Sequence, residues 1–600
     1  MRDDAAGVSG FALCWHREGA PVPPDVVRAL RVATTVRSTR PVRERAGECW
    51  VAWHTPSDWA PGAEDALPLE LLGWAGTGTL RLDDRRTLAD RLRDRIGPGN
   101  EDDAALAWRS FSAWGEAAPS HWLGDYAVAA VSPTRDRLIA ARGSIGVLSC
   151  FHAMAGPLVI VGDDPQVLAA VPGVATRLDD RAVVEYLATG ELVTPTRTFR
   201  QGVSRLPAAH TLVVSRDGAL RVVRHWRLPE PAVAYGRSGQ EVVEGFRDVL
   251  DHAVRDRLRG PNAALLLSGG LDSPTLALAA RRAASHVQTQ ALTVSWRGLL
   301  ADDDEATWAA RAAAAAGLPH TVVEFAPDAG LPGAGEFSIP EPAPDAEPLV
   351  YRAVASRLAA IAPVALLGED VDTLLAPATV VEQLGSEGLV ATTRAWRAYR
   401  AATGQLPSTG LRRGGGVFER WREWRARRAP DWLRAEQIDQ HPLPDGPPAR
   451  THPSRSYAAR SLAQPTWENV LWNDAPVMSG SPVVVLLPFM DPRVIRYCFA
   501  LPSVPWTQRK WLIREALRGA MPDDLLSRPK TPLRGYYEGR VREWRRRGAA
   551  APLPAPVDAW VDTVRWRAAL GATARADDVF AAWRVLELSR WLAQPPTGRL

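Results

Sequence analysis

The sequence predicts an α+β N-terminal domain built on antiparallel sheets (residues 1–226), a linker (227–239) and an α/β domain with a parallel sheet (240–600). Three observations lead there. Short apolar or alternating runs fill the first part and end in a hairpin signal. The stretch 227–239 (RLPEPAVAYGRSG) is rich in proline and glycine. After residue 262 the hydrophobic period switches back and forth between that of a strand and that of a helix.

In the first part, 125–131 (DYAVAAV), 137–142 (RLIAAR) and 157–161 (PLVIV) read as strands. The runs 210–216 (HTLVVSR) and 219–226 (ALRVVRHW) flank Asp217-Gly218, a dipeptide suited to a tight hairpin turn. Beyond the linker, Ser238 and Glu241 have capping-box spacing. Val242, Phe246, Val249, Leu250, Ala253 and Val254 then recur at helical intervals until Gly260-Pro261. Strands follow at 263–267, 290–294, 321–325 and 364–367, with helices at 274–284, 303–316 and 349–362. Such alternation gives a parallel sheet with right-handed crossovers, whose ligands bind at the carboxyl ends of the strands. The residues at those ends are Ser268-Gly269-Gly270, Ser295, Glu324 and Gly368-Glu369. The long polar loop 326–348 beside that edge reads as functional. Beyond residue 380 the chain reads as largely helical, with linkers at 442–448 and 549–556.

Composition narrows the class. Of 600 residues, 46% are hydrophobic and 23% charged, ordinary globular usage. The four cysteines are scattered without disulfide or zinc-site spacing, so a reducing cytoplasm is expected. No signal-peptide pattern or long apolar run occurs, so neither secretion nor a membrane partner is expected. The formal charge is +4, and the two signs interleave. No nucleic-acid partner is therefore expected, and the basic runs 420–428 (RWREWRARR) and 540–547 (RVREWRRR) read as solvated helix faces. Most of the 24 tryptophans read as core, with Trp467, Trp472 and Trp506 as candidates for a cavity wall. Of the 72 basic residues only Lys510 and Lys530 are lysine, so each is a candidate for a role that arginine cannot fill. Lys510, at helical spacing from Arg514, reads as structural, with a phosphate contact as the second choice.

The strongest chemical signal is 268–273 (SGGLDS), between a strand and a helix that opens with Pro274. Here Ser268, Gly269, Gly270, Leu271 and Ser273 present backbone N–H groups and hydroxyls beside a helix N-terminus, an arrangement that suits phosphate oxygens. Asp272 would repel those oxygens unless a cation intervened, which implies Mg²⁺.

These residues resemble the pyrophosphate loop of the ATP pyrophosphatases, the adenine nucleotide alpha hydrolase-like fold. Asp304-Glu305-Ala306 and 366–375 (LLGEDVDTLL) resemble segments of the asparagine synthetases, as do 487–491 (LPFMD), 510–514 (KWLIR) and 525–533 (LLSRPKTPL). The resemblance implies that Ser295 joins the ATP site and that Asp372 is the second magnesium ligand beside Asp272. It further implies that Lys530 contacts pyrophosphate and the acyl-adenylate, and that Glu369 acts as a base or a loop anchor. Asp370 and Thr373 depart from the family pattern. The segments 122–131, 142–146 and 205–207 resemble the family's glutaminase half, an Ntn-type sandwich whose nucleophile is a terminal cysteine. The best match to its start places Ser9 at that position, and Cys14 lies five residues later, so glutamine hydrolysis is expected to be lost.

Two groups share this architecture with a silent glutaminase half: β-lactam and carbapenam synthetases, and lasso peptide cyclases. The first group has tyrosine at the position of Glu369. The length, the Arg- and Trp-rich composition and the extended C-terminal region resemble a lasso cyclase. That resemblance implies ATP and Mg²⁺, a leader-free core peptide as substrate, and a leader-binding protein and a leader peptidase as partners. The alternative is a small-molecule amide ligase of the β-lactam synthetase kind; glutamine-hydrolysing asparagine synthesis is disfavoured.

Overall fold

The computed structural model describes residues 10–594 except 39, 57–66, 231–232, 235, 298–302, 325–337, 343–347, 370, 410–428, 444–454, 464, 529–540, 543–544, 546–554 and 572–573. The N-terminal half contains β1 (Gly10–His16), β2 (Arg43–Ala46), β3 (Trp50–Thr55), β4 (Leu69–Leu71), β5 (Trp74–Asp83) and β6 (Leu123–Ser132). It continues with β7 (Arg137–Arg142), β8 (Phe151–Ala155), β9 (Leu158–Gly162), β10 (Val203–Arg205), β11 (His210–Ser215) and β12 (Leu220–Arg224). These pair into two six-stranded antiparallel sheets, ordered β10-β8-β9-β1-β3-β2 and β12-β11-β7-β6-β5-β4.

Side-chain alternation makes this pair of sheets a sandwich. Along β1, Phe11, Leu13 and Trp15 face the second sheet, where Ala127, Ala129 and Val131 of β6 meet them. Ala12 and Cys14 point the other way, toward helix Pro24–Val36. Tyr126 and Val128 of β6 face helices Arg85–Ile96 and Asp103–Trp114. The result is four layers, helix, sheet, sheet, helix. The hairpin at Asp217-Gly218 forms, but as a three-residue loop: Ser215 N–H donates to Ala219 O at 3.0 Å, and Gly218 takes φ +85°.

The second half opens with helix Gly239–Arg257, whose capping box forms in both directions between Ser238 and Glu241. Its sheet contains β13 (Asn262–Leu266), β14 (Gln288–Ser295), β15 (His320–Glu324), β16 (Val364–Leu366) and β17 (Val484–Leu486), in the order β15-β14-β13-β16-β17. Every pairing is parallel. Beyond residue 380 the described chain is largely helical as expected, with β17 as an added strand: its three residues return 118 positions after β16 to extend the sheet edge. Helices at Asp272–Ala283, Glu305–Ala316 and Pro348–Ala359 connect the first four strands. The fold is thus an α+β sandwich of two antiparallel sheets followed by an α/β domain with a parallel sheet, the two classes the sequence predicts.

The two halves share one apolar core that runs from Leu13 and Trp15 to Leu250, Leu265 and Leu512. Ion pairs cross the same seam. Arg142 meets Glu468 at 2.5 Å, Arg205 meets Glu341 at 3.0 Å, and Arg257 meets Asp83 at 3.1 Å. Glu341 belongs to the loop expected to serve the ligand edge; its described part, 338–342, instead docks on the N-terminal half, where Glu341 also accepts the Phe199 N–H. Trp472 and Trp506 are buried, Trp472 against Phe151 and Arg205, so neither lines an open cavity. The run 420–428 lies outside the described residues, as does most of 540–547. Among the described residues, no helix is long and apolar enough to cross a membrane.

Candidate active site

The strand order places β13 at the centre, with the chain filling one side as β14 and β15 before crossing to β16 and β17 on the other. Crossing connections leave on opposite faces at such a point, and a crevice opens beyond the carboxyl ends of the strands. The loop after β13 carries Ser268–Ser273, and the loop after β16 carries Gly368, Glu369 and Asp372. Sequence segments about a hundred residues apart therefore face each other.

The first loop is folded tightly on itself. Ser268 N–H donates to Ser273 Oγ at 2.8 Å, the two hydroxyls lie 3.0 Å apart, and Gly270 N–H reaches Ser268 Oγ at 3.3 Å. Gly269 is clamped at both ends of its backbone. Its N–H donates to Glu305 Oε1 at 2.8 Å, while its carbonyl accepts from Arg528 Nη1, also at 2.8 Å. A Cβ there would stand 2.5 Å from Trp308 Cβ and 2.7 Å from Arg528 Nη1, so only glycine fits. Gly368 answers it from the other strand: a Cβ would come within 2.9 Å of Ser273 N. Gly270 is exposed, leaving the turn open to an incoming anion. Leu271 differs in kind: its side chain is 9% exposed and joins the main core, so only its backbone borders the crevice.

Ser295, at the end of β14, spends its hydroxyl on Asp303 Oδ2 at 3.2 Å. Asp303 also takes the Trp296 and Glu305 N–H groups, at 2.7 and 3.1 Å. In this structure Ser295 holds the loop that presents Glu305. Arg528 completes that support, pairing with Asp304 at 2.7 Å and lying 5.1 Å from the Trp308 ring. Arg528 sits inside a motif quoted from the sequence, yet no spacing rule ties it to Gly269.

Asp272 begins helix Asp272–Ala283, and Asp372 lies on the short helix Val371–Leu374. Their carboxylates converge on one atom, Lys510 Nζ, at 2.5 Å from Asp272 Oδ2 and 3.1 Å from Asp372 Oδ1. Lys510, read from sequence as structural or a phosphate contact, thus reaches the crevice itself. The convergence also tests the fit to Mg²⁺. Two hard oxygen donors already share one cation, and Mg²⁺ commonly uses one or two carboxylates with phosphate oxygens and waters. Among the described residues no group of three or more His, Cys, Asp or Glu side chains could hold a metal, and this fit requires none.

Glu369 keeps an exposed face at the crevice. Desolvation, aided by the negative charge of Asp272, pushes its carboxyl above the usual glutamate range. Asp474, half-buried nearby, is pushed up to about 8 by desolvation and then by Glu369. Asp474 carried no sequence signal, since it follows a helix end more than a hundred positions from Glu369. Lys530 and Asp370 lie outside the described residues, as does Ser9 in the other half.

In the sandwich the cysteines are inert. Burial pushes Cys14 and Cys150 up to about 12, and Cys49 is raised as well. Cys498, in the second half, is likewise pushed to about 12. None of the chain's four thiols is poised to ionise near neutrality.

Comparison with known proteins places these features. A glutamine amidotransferase domain model matches residues 98–226, and an asparagine synthase model matches residues 245–593. A Bacillus subtilis asparagine synthetase (glutamine-hydrolyzing) is 28% identical over 175 residues, which are 29% of this chain and 28% of that protein. A Penicillium rubens protein named amidase chyE is 28% identical over 198 residues, 32% of this chain and 29% of its own length. The chain therefore matches less than a third of the length of these relatives. Among solved structures, glutamine phosphoribosylpyrophosphate amidotransferase from B. subtilis aligns at 10% identity and a TM-score of 0.24, covering 53% of this chain and 76% of that one. The asparagine synthase match extends over more than half of the residues and across every strand of the parallel sheet, and on that ground the chain belongs to the asparagine synthase family.

Proposed function

We propose that the protein is an ATP-dependent carbon–nitrogen ligase that closes a macrolactam ring on a peptide, a lasso peptide cyclase. The observation that carries this reading is a contrast between the halves. The adenylation-type crevice keeps its glycine loop and paired carboxylates, whereas every thiol in the chain is held neutral. An activating site without an internal ammonia source calls for a substrate that carries its own amine.

In this reading an Asp or Glu side chain of the leader-free core peptide attacks ATP, pyrophosphate leaves, and the peptide's N-terminal amine displaces AMP to form the isopeptide bond. Ser268, Gly270 and Ser273 hold the phosphates, while Gly269, its N–H taken by Glu305 and its carbonyl by Arg528, fixes the shape of the turn that presents them. Asp272 and Asp372 would hold Mg²⁺, which supplies charge neutralisation on the phosphates. Lys530 is assigned the pyrophosphate and adenylate contact. An α-amine has a reference pKa of about 7.7–8.0, so it needs only modest help to lose its proton. Glu369, exposed at the crevice and with its carboxyl raised above the usual glutamate range by desolvation and by Asp272, is assigned that transfer. A leader-binding protein and a leader peptidase complete the proposal.

The test is mass spectrometry of a leader-free precursor incubated with enzyme and Mg-ATP. Loss of one water, abolished by Asp372→Asn, is the expected result. No mass change with peptide, together with ATP turnover on an N-carboxyalkyl amino acid, would transfer the activity to small-molecule lactam synthesis.

A further inference from the structure

Lys510 reaches the site on an unusual backbone. Both Arg509 and Lys510 have positive φ, 49° and 57°, in a region that non-glycine residues avoid. Such a conformation persists where the surroundings over-determine it, and here they do. Thr507 Oγ1 donates to Ser503 O at 2.8 Å, and Ser503 Oγ accepts the Ala378 N–H at 3.0 Å. Gln508 Oε1 takes the Ser408 N–H at 2.9 Å. Ala378 lies just beyond the helix that carries Asp372, so one network positions both the lysine and one of its carboxylates.

Asp272 and Asp372 stand on opposite walls of the crevice, and their like charges require a cation between them. We propose that Lys510 is an internal counter-ion: its ammonium bridges the two carboxylates in the nucleotide-free protein and gives way when Mg²⁺ enters with nucleotide. The inference rests on the reading of Asp272 and Asp372 as the metal-holding pair. Magnesium dehydrates reluctantly and, without phosphates, would bring only waters to two carboxylates already satisfied by a tethered charge. Metal and nucleotide would then enter together. The displaced ammonium is left beside the phosphates, where positive charge remains useful. A guanidinium spreads its charge over a planar fork, while an ammonium is a point that fits between two oxygens. This gives a reason for a lysine here in a chain that otherwise uses arginine.

The probe is Mn²⁺, followed by electron paramagnetic resonance titration of the nucleotide-free full-length protein as wild type, Lys510→Met and Lys510→Gln. Wild type should bind weakly without nucleotide, and both variants should bind about tenfold more tightly or better, since the competing charge is gone. In EDTA both variants should melt below wild type and recover on addition of Mn²⁺. Unchanged or weaker Mn²⁺ affinity in the folded variants would overturn the proposal, as would unfolding that Mn²⁺ does not reverse, which marks a purely structural lysine. If wild type bound no Mn²⁺ even with ATP present, the fault would lie instead with the assignment of the carboxylates to the metal.

Discussion

Asp163 shows what one residue does at the seam between the halves. Its Oδ1 accepts the Phe11 N–H at 3.1 Å, tying down the start of β1, beside a cavity of about 10 Å³ bordered by Thr55, Arg37 and Val477. Desolvation outweighs that hydrogen bond and pushes its carboxyl up to about 8. The folded protein therefore keeps a proton that the unfolded chain releases above its ordinary value of 3.8. Stability from this group is complete below that value and is lost as pH rises through about 8. Asp163→Asn cannot ionise, so its melting temperature should fall less than that of wild type between about pH 5 and pH 9. A scan of melting temperature against pH reads this directly; parallel curves would contradict it. Residues of this sort leave little trace in a sequence. SGGLDS was legible because its chemistry is contiguous. The positions of Lys510, Arg528 and Asp474 depend on chain crossings that no local spacing encodes.

At the scale of elements, helix Gly239–Arg257 ties three parts of the chain together through its last residue. Arg257 is 2% exposed and pairs with Asp83 of β5 at 3.1 Å and with Asp491, at the start of helix Pro492–Phe499, at 2.7 Å. Burial pushes the Asp83 carboxyl up to about 6 despite Arg81 and Arg257. Burial acts on Asp491 too, but Arg257 and Arg493 hold it well below the usual aspartate range. Arg257→Met would leave buried carboxylates short of a partner, and its expected cost is about 3–5 kcal/mol, measured by urea unfolding of the whole chain. A loss under about 1 kcal/mol would mean that neighbouring arginines compensate. The capping box and apolar period made this helix readable from sequence, and the alternation beyond it revealed four strands of the sheet. β17 escaped because it stands apart from the strand–helix alternation that revealed β16, an equally short strand, and its pairing with β16 spans more than a hundred residues of sequence.

Across the whole molecule, the shared core and the ion pairs at the seam make the halves interdependent. A protease site inserted within 227–239 and cut should yield two fragments that elute together at moderate salt and unfold in one transition. Separation on a sizing column would show that the seam contributes little. The sequence separated the halves by composition and period, yet gave no sign that Trp15 and Leu512 belong to one cluster, because a core is a property of the folded chain.

Residues 557–591 also close on residues 182–199 of the first half. Tyr186 and Phe199 are buried with Trp560, Trp566, Trp583 and Trp591, and Arg584 donates to Leu187 O across 397 residues of sequence. During synthesis at about 5–20 residues per second, roughly 20–80 s would separate emergence of the first surface from arrival of the last. For that interval the apolar face of helix Asp180–Thr189 lacks the part of its cover supplied by residues 557–591, so the nascent chain would leave apolar surface open well after its first sandwich has formed.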